Sequence, residues 1–283
     1  MLQFTSALVS LPKPDQSSAA LVTGASAGIG GAIARELAAR GHNLVLVARR
    51  QERLDELADR LEGEHGVRAH AIACDLSEAR TRDRLPRQIA GLGVAVEVLV
   101  NNAGFATGGP FHESDPAREL QQVRLLVEAV VALTSAFLPA MVERGRGAIL
   151  NIASTAGMQP MPYSAGYSAA KAYVLAFSEA IHQEVRASGV TVTALAPGPV
   201  ETEFWELAGW EARGGRSFEQ TVPRTAFISA QDAARAGVKG LESGERVVVP
   251  GLPMRTAMLA SRYVPHAVKL PAMEWLRRPG RGR

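Results

Sequence analysis

The stretch TGASAGIG, residues 23–30, constrains the fold of this chain more than any other. It follows a short apolar run, residues 19–23, and leads into a helix-forming segment, GAIARELAAR. A strand, a tight glycine turn and a helix N-terminus in that order make an anion site. The glycines let the backbone approach a pyrophosphate, while free N–H groups and the helix dipole favour its charge. Gly24, Gly28 and Gly30, with Ser26 and Ile29 between them, are therefore candidate dinucleotide contacts. The other use of such glycines is a close helix–strand crossing that needs small residues.

Beyond the turn, strand and helix patterns alternate. Apolar runs at residues 43–48, 68–74, 97–100, 148–153, 190–196 and 245–249 read as strands. Helical periodicity covers residues 50–62, 117–143 with an interruption expected near Pro139, 165–187 and 231–241. Strands this short and uniformly apolar belong to a parallel sheet covered on both faces. The expectation is an α/β, Rossmann-type doubly wound parallel sheet of about seven strands in a single domain. A chain of 283 residues needs no second core.

Composition excludes several classes. Hydrophobic content of 47% with 21% charged residues describes an ordinary globular protein. The lone Cys74 rules out an internal disulfide framework and suits a reducing, cytoplasmic setting. It ends the apolar run AHAIAC and reads as a core residue, not a nucleophile. Residues 253–283 hold seven Lys/Arg and one acid, Glu274, leaving 24 basic against 27 acidic groups elsewhere. No basic stripe runs over the body, so a nucleic-acid partner is not expected. No apolar stretch reads as a transmembrane segment, and no metal site is expected. Residues 1–17, with Pro12 and Pro14 and no basic n-region, read as an irregular leader and not as a signal peptide.

The end of the second strand bears on the choice of nicotinamide cofactor. An acid there would hold the ribose 2′-hydroxyl of NAD and repel a 2′-phosphate. This chain has Ala48-Arg49-Arg50, with no acid before Glu52. A guanidinium suits a phosphate through charge-assisted hydrogen bonds. NADP(H) is favoured, with Arg49 as the contact and Ser26 as a helper. Arg50 fits better as a solvated start to the next helix. Asp75 and Leu76, ending the third strand, are placed along the adenine edge.

A further pattern sits in GYSAAKAY, residues 166–173, where Tyr167 and Lys171 are one helical turn apart. Alone the pair is weak. It gains weight from TGASAGIG, Asp75, NNAG (101–104), Ser154, YSAAK (167–171) and PGPVET (197–202) in this order, with thirteen residues from Ser154 to Tyr167. Over residues 18–251 the chain resembles the short-chain dehydrogenase/reductase family. The spacing Gly24-x-x-x-Gly28-x-Gly30 is similar to its shorter reductase branch and unlike the longer sugar epimerases and dehydratases.

The resemblance implies an NADP(H)-dependent oxidoreductase that interconverts a carbonyl and an alcohol. Tyr167 would be the general acid and base, its phenol pKa lowered by Lys171 and by the oxidised nicotinamide. Ser154 would position the carbonyl oxygen, and Lys171 would also hold the nicotinamide ribose. Cofactor contacts carried over are Asn102, Ala103, Gly104, Pro197, Gly198, Val200 and Thr202, with Tyr167 and Lys171. A small-molecule substrate and a homodimer or homotetramer are expected.

One position departs from the family pattern. Counted from NNAG, and backwards from Ala132-Leu133-Thr134, the asparagine that anchors a proton-relay water falls on Leu126, within VRLLVEAVV. Leucine neither donates nor accepts a hydrogen bond. Two readings follow: an active enzyme whose water is held by backbone carbonyls, or a catalytically impaired NADP-binding protein with a regulatory or scaffolding role.

Residues 201–229, with Phe204, Trp205, Trp210, Phe218 and Phe227 around Gly214-Gly215, read as a glycine-hinged lid over an apolar pocket. Packing of those aromatics onto the body is the plainer use. Met158, Met161 and Tyr163 are expected at the same pocket. Residues 252–283 form a basic extension that Pro265 and Pro271 should break into short pieces. Subunit contact, weak membrane-surface contact and disorder all fit it, and docking on the body or a partner subunit is expected.

Overall fold

A computed structural model describes residues 11–204 and 224–277, apart from the side chains of Thr225 and Leu276. The leader residues 1–10, the lid residues 205–223 with Trp205, Trp210, Gly214, Gly215 and Phe218, and residues 278–283 lie outside the described residues.

Seven parallel strands form one sheet in the order β3-β2-β1-β4-β5-β6-β7. They are β1 (Ser18–Thr23), β2 (Asn43–Ala48), β3 (Ala69–Ala73), β4 (Ala95–Asn101), β5 (Gly147–Ile152), β6 (Val190–Leu195) and β7 (Val247–Val248). The last is shorter than its apolar run, because only Val247 and Val248 pair with β6. The expected seven-stranded doubly wound sheet is thus observed.

Side-chain alternation along each strand divides the core in two. Ala20, Val22, Leu44, Leu46, Val98 and Leu150 face α1 (Gly28–Ala38), α2 (Gln51–His65) and a helix over Ala230–Glu242. Leu21, Val45, Val47, Leu99, Ile149 and Val192 face the opposite layer with Leu133, Met141, Ile181 and Val185. Burial on both faces explains why the strands read as apolar runs without alternation. The α2 helix stops at Gly66, whose φ of 65° only glycine adopts freely, and its N–H closes onto the Glu62 carbonyl.

Two helices unforeseen in the sequence, α3 (Ala79–Arg82) and α4 (Leu85–Ala90), connect β3 to β4. The next segment runs as α5 (Pro116–Val123), one wide turn over Arg124–Glu128 with i→i+5 bonding, and α6 (Ala129–Glu143). The interruption therefore falls around Leu126, and Pro139 lies inside α6 without ending it. By length and hydropathy the whole segment, Pro116–Glu143, would suffice to cross a membrane. The expectation that no stretch reaches that length missed it, since Thr134, Ser135 and Pro139 interrupt the apolar run without adding charge. Here Ala129, Leu133 and Met141 pack it onto the sheet.

Helix α7 (Ala165–Val185) carries the Tyr167–Lys171 pair, and α8 (Ala230–Glu242) crosses α1 on the other face. A buried polar chain ties α7 to the sheet. Asn101 donates to Asn151 (2.8 Å), Asn151 to Ser178 (2.9 Å), and Ser178 to the Val174 carbonyl (2.6 Å).

The extension forms α9 (Leu252–Ser261) and α10 (His266–Arg277). Pro265 separates them as expected. Pro271 does not break α10, because Ala267, whose carbonyl loses its helical partner there, is exposed to water.

Candidate active site

The cleft lies at the carboxyl ends of the strands, where the strand order reverses between β1 and β4. Open α/β sheets bind ligands at such switch points. A cavity of about 470 Å³ opens there. It gathers Gly24, Ser26, Gly28, Ile29, Arg49, Asp75, Leu76, Asn102, Ala103, Gly104, Ser154, Tyr167, Lys171, Pro197, Gly198, Val200 and Thr202. Every residue expected to act in catalysis or to touch the cofactor is present except Gly30.

The three glycines of the turn do different work. Gly24 has φ 65°, and a Cβ on it would stand 2.7 Å from the Asn102 amide nitrogen. Gly28 has φ 54° and lies under the Thr202 methyl. Gly30 is buried in the helix–strand crossing, where a Cβ would come within 2.4 Å of both the Gly24 carbonyl and the Asn102 amide. Its role is close packing, which the sequence reading held open for this motif. Asn102 braces the turn by donating to the Thr23 carbonyl (2.9 Å), while the Thr23 hydroxyl accepts from the Asn102 and Ala103 N–H groups (2.9 and 3.1 Å). The α1 N-terminus has no side-chain cap, so its first-turn N–H groups face the cavity unspent on one.

At the adenosine end, Arg49 and Arg50 both line the cavity with no acid at the end of β2. Arg50 is not merely solvated. Its guanidinium donates to the Ser26 hydroxyl (3.2 Å) and pairs with Glu203 (3.4 Å), which also meets Arg53 (3.2 Å). The Asp75 carboxylate accepts from the N–H and hydroxyl of Ser77 (2.9 and 2.6 Å), which orients it at the rim. A bare glycine cradle, a helix N-terminus and paired arginines fit the pyrophosphate and 2′-phosphate of NADP.

At the opposite end of the cleft, Ser154, Tyr167 and Lys171 are all buried. The Ser154 hydroxyl accepts from the Ala156 N–H (3.1 Å) and donates to the Pro197 carbonyl (3.5 Å). Lys171 donates to the Ile152 carbonyl (2.6 Å), with its Nζ 5.8 Å from the centre of the Tyr167 ring. Burial pushes the Tyr167 phenol up to about 12, against a smaller downward pull from Ser154. Burial likewise draws the Lys171 ammonium down to about 8. The lowering expected from Lys171 and the oxidised nicotinamide is not seen in the protein alone, where desolvation dominates the phenol.

Leu126 is 1% exposed and packs with Ala106, Ala156, Tyr167 and Ala170. A Cβ on Gly104 would sit 2.7 Å from its Cδ2, so NNAG ends in glycine partly to admit this leucine. Cys74 lines the cavity beneath the rim, and burial raises its thiol pKa, which keeps it protonated and inert.

Met158, Met161 and Tyr163 do not line the cavity, contrary to expectation. Met161 packs behind Tyr167, Met158 packs against the α7 side of the core, and Tyr163 turns toward α10. The apolar wall comes from Phe105, Leu125, Val200 and Phe204. The Phe204 ring meets Tyr167 at 5.7 Å. Arg118 and Gln121, also on the wall, were missed. Arg118 lies 4.0 Å over the Phe105 ring and donates to Gln121 (3.0 Å). Their signal was the spacing 118, 121, 125, one face of the helix that follows NNAG. Among the described residues no group of three His, Cys, Asp or Glu side chains is placed to hold a metal ion.

The family described as short chain dehydrogenase matches residues 18–211. The very-long-chain 3-oxoacyl-CoA reductase of Bos taurus is 34% identical over 218 residues, 75% of this chain and 69% of that protein. Sulfoacetaldehyde reductase 2 of Chromohalobacter salexigens is 36% identical over 222 residues, 77% of this chain and 86% of that protein. Among solved structures, a short-chain dehydrogenase from Sphingobium yanoikuyae in complex with NADPH superposes with a TM-score of 0.76 at 32% identity, covering 91% of this chain and 95% of its own.

Proposed function

The chain belongs to the short-chain dehydrogenase family, and on that premise we propose an NADP(H)-dependent oxidoreductase that interconverts a carbonyl and an alcohol. The observation that carries the proposal is the convergence of Ser154, Tyr167 and Lys171 in one cavity with the glycine cradle and Arg49. When bound, the nicotinamide supplies or accepts the hydride.

The chain's own residues handle the proton and the geometry. Gly24, Ser26, Gly28 and Ile29 receive the phosphates, and Arg49, beside Arg50, takes the 2′-phosphate. Ser154 holds the substrate oxygen within reach of the Tyr167 hydroxyl. In reduction Tyr167 gives its proton to that oxygen, and in oxidation its phenolate takes one. A phenol held at about 12 keeps its proton until a more basic alkoxide develops beside it. The Lys171 ammonium, fixed by the Ile152 carbonyl, steadies the phenolate, and a value near 8 lets it exchange its own proton close to neutrality.

Phe105, Leu125, Val200 and Phe204 favour an apolar substrate over a small polar one. The competing reading, cofactor binding without turnover, rests on Leu126, whose buried side chain offers no polar atom to a relay water. A panel of ketones and alcohols, followed by NADPH absorbance, tests both. Turnover fastest on aromatic or long-chain ketones is expected. Faster reduction of small polar ketones would overturn the apolar pocket, and tight NADPH binding without turnover on any substrate would favour the competitor.

A further inference from the structure

The extension is both a clamp and a face. Its inner side is spent on the rim of the catalytic cleft. Met254 packs on Gly198, where a Cβ would meet its Cε at 2.7 Å. Ser261 donates to Gln159 (3.0 Å). Tyr163 donates to Glu274 (2.9 Å), and Arg277 donates to the Pro162 carbonyl and the Ser164 hydroxyl (3.1 and 3.2 Å). These contacts seat α9 and α10 over the loop that enters the Tyr167 helix.

The outer side is apolar and basic. Half of the large apolar side chains that the described residues expose fall between residues 252 and 275. On α9 and just beyond it, Leu252, Leu259 and Tyr263 are exposed at 74%, 51% and 88%. On α10, Val268 and Trp275 are exposed at 62% and 76%. Positions 252, 259 and 263, and 268 and 275, recur at whole helical turns, so each helix presents one apolar stripe outward. Arg255 and Arg262 lie exposed between these residues. The sole acid of residues 253–283, Glu274, is turned inward to Tyr163. By sequence, Arg278, Arg281 and Arg283 extend the positive charge.

We propose that the outward face of α9 and α10 docks on the surface of an anionic lipid bilayer. Charge complementarity selects this occupant. An apolar stripe carrying an exposed tyrosine and tryptophan, flanked by arginines and free of outward acids, matches a helix lying in the headgroup layer. Docking there sets the catalytic rim beside the bilayer. Entry of an apolar substrate from the lipid would follow from the proposed function, but the docking itself does not depend on it.

Co-sedimentation of the full chain with vesicles tests the inference without any measurement of turnover. Binding is expected to vesicles of phosphatidylcholine mixed with phosphatidylglycerol, with release at high salt and little binding to phosphatidylcholine alone. Each exposed basic side chain contributes about fivefold in partitioning at ~1 kcal/mol, so Arg255→Gln with Arg262→Gln should weaken binding about 25-fold. Tyr263→Ser with Trp275→Ser should weaken it at least about tenfold, with NADPH affinity kept as the control for folding. Absence of vesicle binding, or undiminished binding by both double variants, would overturn the proposal. A Tyr263→Ser/Trp275→Ser protein that sediments as a monomer where the parent is a larger assembly would overturn it in favour of a second copy of the chain.

Discussion

Lys171 brings a charge to a place that disfavours it, so the stability of the folded protein reports on the buried end of the cleft that holds Ser154 and Tyr167. Lys171 is 5% exposed, and burial draws its pKa from 10.5 to about 8. Between those values the unfolded chain binds more protons than the folded one, so stability rises with pH across that window. Below about pH 8 the folded state bears the full penalty, ~3 kcal/mol at about 1.36 kcal/mol per unit. Raising the pH from about 7 to about 9.5 should relieve ~2 kcal/mol of it.

Lys171→Met keeps the aliphatic stem and removes the titrating group, so the variant should lack that gain. Urea unfolding of both proteins at the two pH values measures it. The difference between the two differences is insensitive to the lost bond to the Ile152 carbonyl, which the variant lacks at either pH. Tyr167 acts in the opposite sense. Burial raises it from 10.0 to about 12, so stability falls as pH rises through that higher window, above the range tested. Equal gains in the two proteins would refute a buried Lys171 titrating near 8.

Three further outcomes follow from the site. Arg49→Ala should weaken NADPH binding ~10–100-fold in calorimetry while leaving NADH unchanged, with Arg50→Ala the milder of the two; equal losses for both cofactors would contradict the 2′-phosphate assignment. Leu126→Asn should raise turnover with NADPH affinity unchanged, at a cost of ~2–3 kcal/mol in stability for placing an amide in the apolar cluster around Tyr167. Unchanged or lower turnover would sink the idea that Leu126 limits the relay. Phe204→Ala should raise KM about tenfold for bulky apolar ketones, from the loss of ~1 kcal/mol or more of aromatic contact, with small ketones barely affected in the same assay.

What the sequence revealed was local. TGASAGIG showed itself because strand, turn and helix are consecutive, and Tyr167 and Lys171 because one helix spaces them. Leu126 drew notice only through a count along the chain from NNAG, and the wide turn around it could not be foreseen. Features created by distant segments stayed hidden. Glu274 reaches Tyr163 across 111 residues of chain, so the docking of α10 and the withdrawal of Tyr163 from the pocket could not be read locally. Gly30 was legible as part of the motif, but its packing role depends on Asn102 arriving from β4. Arg50 looked solvated because its partners, Ser26 and Glu203, come from other loops. The direction of the Tyr167 shift was missed for a related reason. The charge of Lys171 is visible in the pattern, whereas the depth of burial is a property of the assembled core.

The central claim is that Tyr167 transfers the proton in a carbonyl–alcohol conversion whose cofactor is held chiefly by other residues. Comparing Tyr167→Phe with the parent protein on the best ketone of the panel, with NADPH affinity measured alongside, tests this most directly. The phenylalanine ring preserves the packing against Phe204 and Leu126 and removes only the hydroxyl. Turnover should fall ~10²–10⁴-fold, with any loss of NADPH affinity far smaller. A variant that still reduces the ketone at the parent's rate would contradict the account.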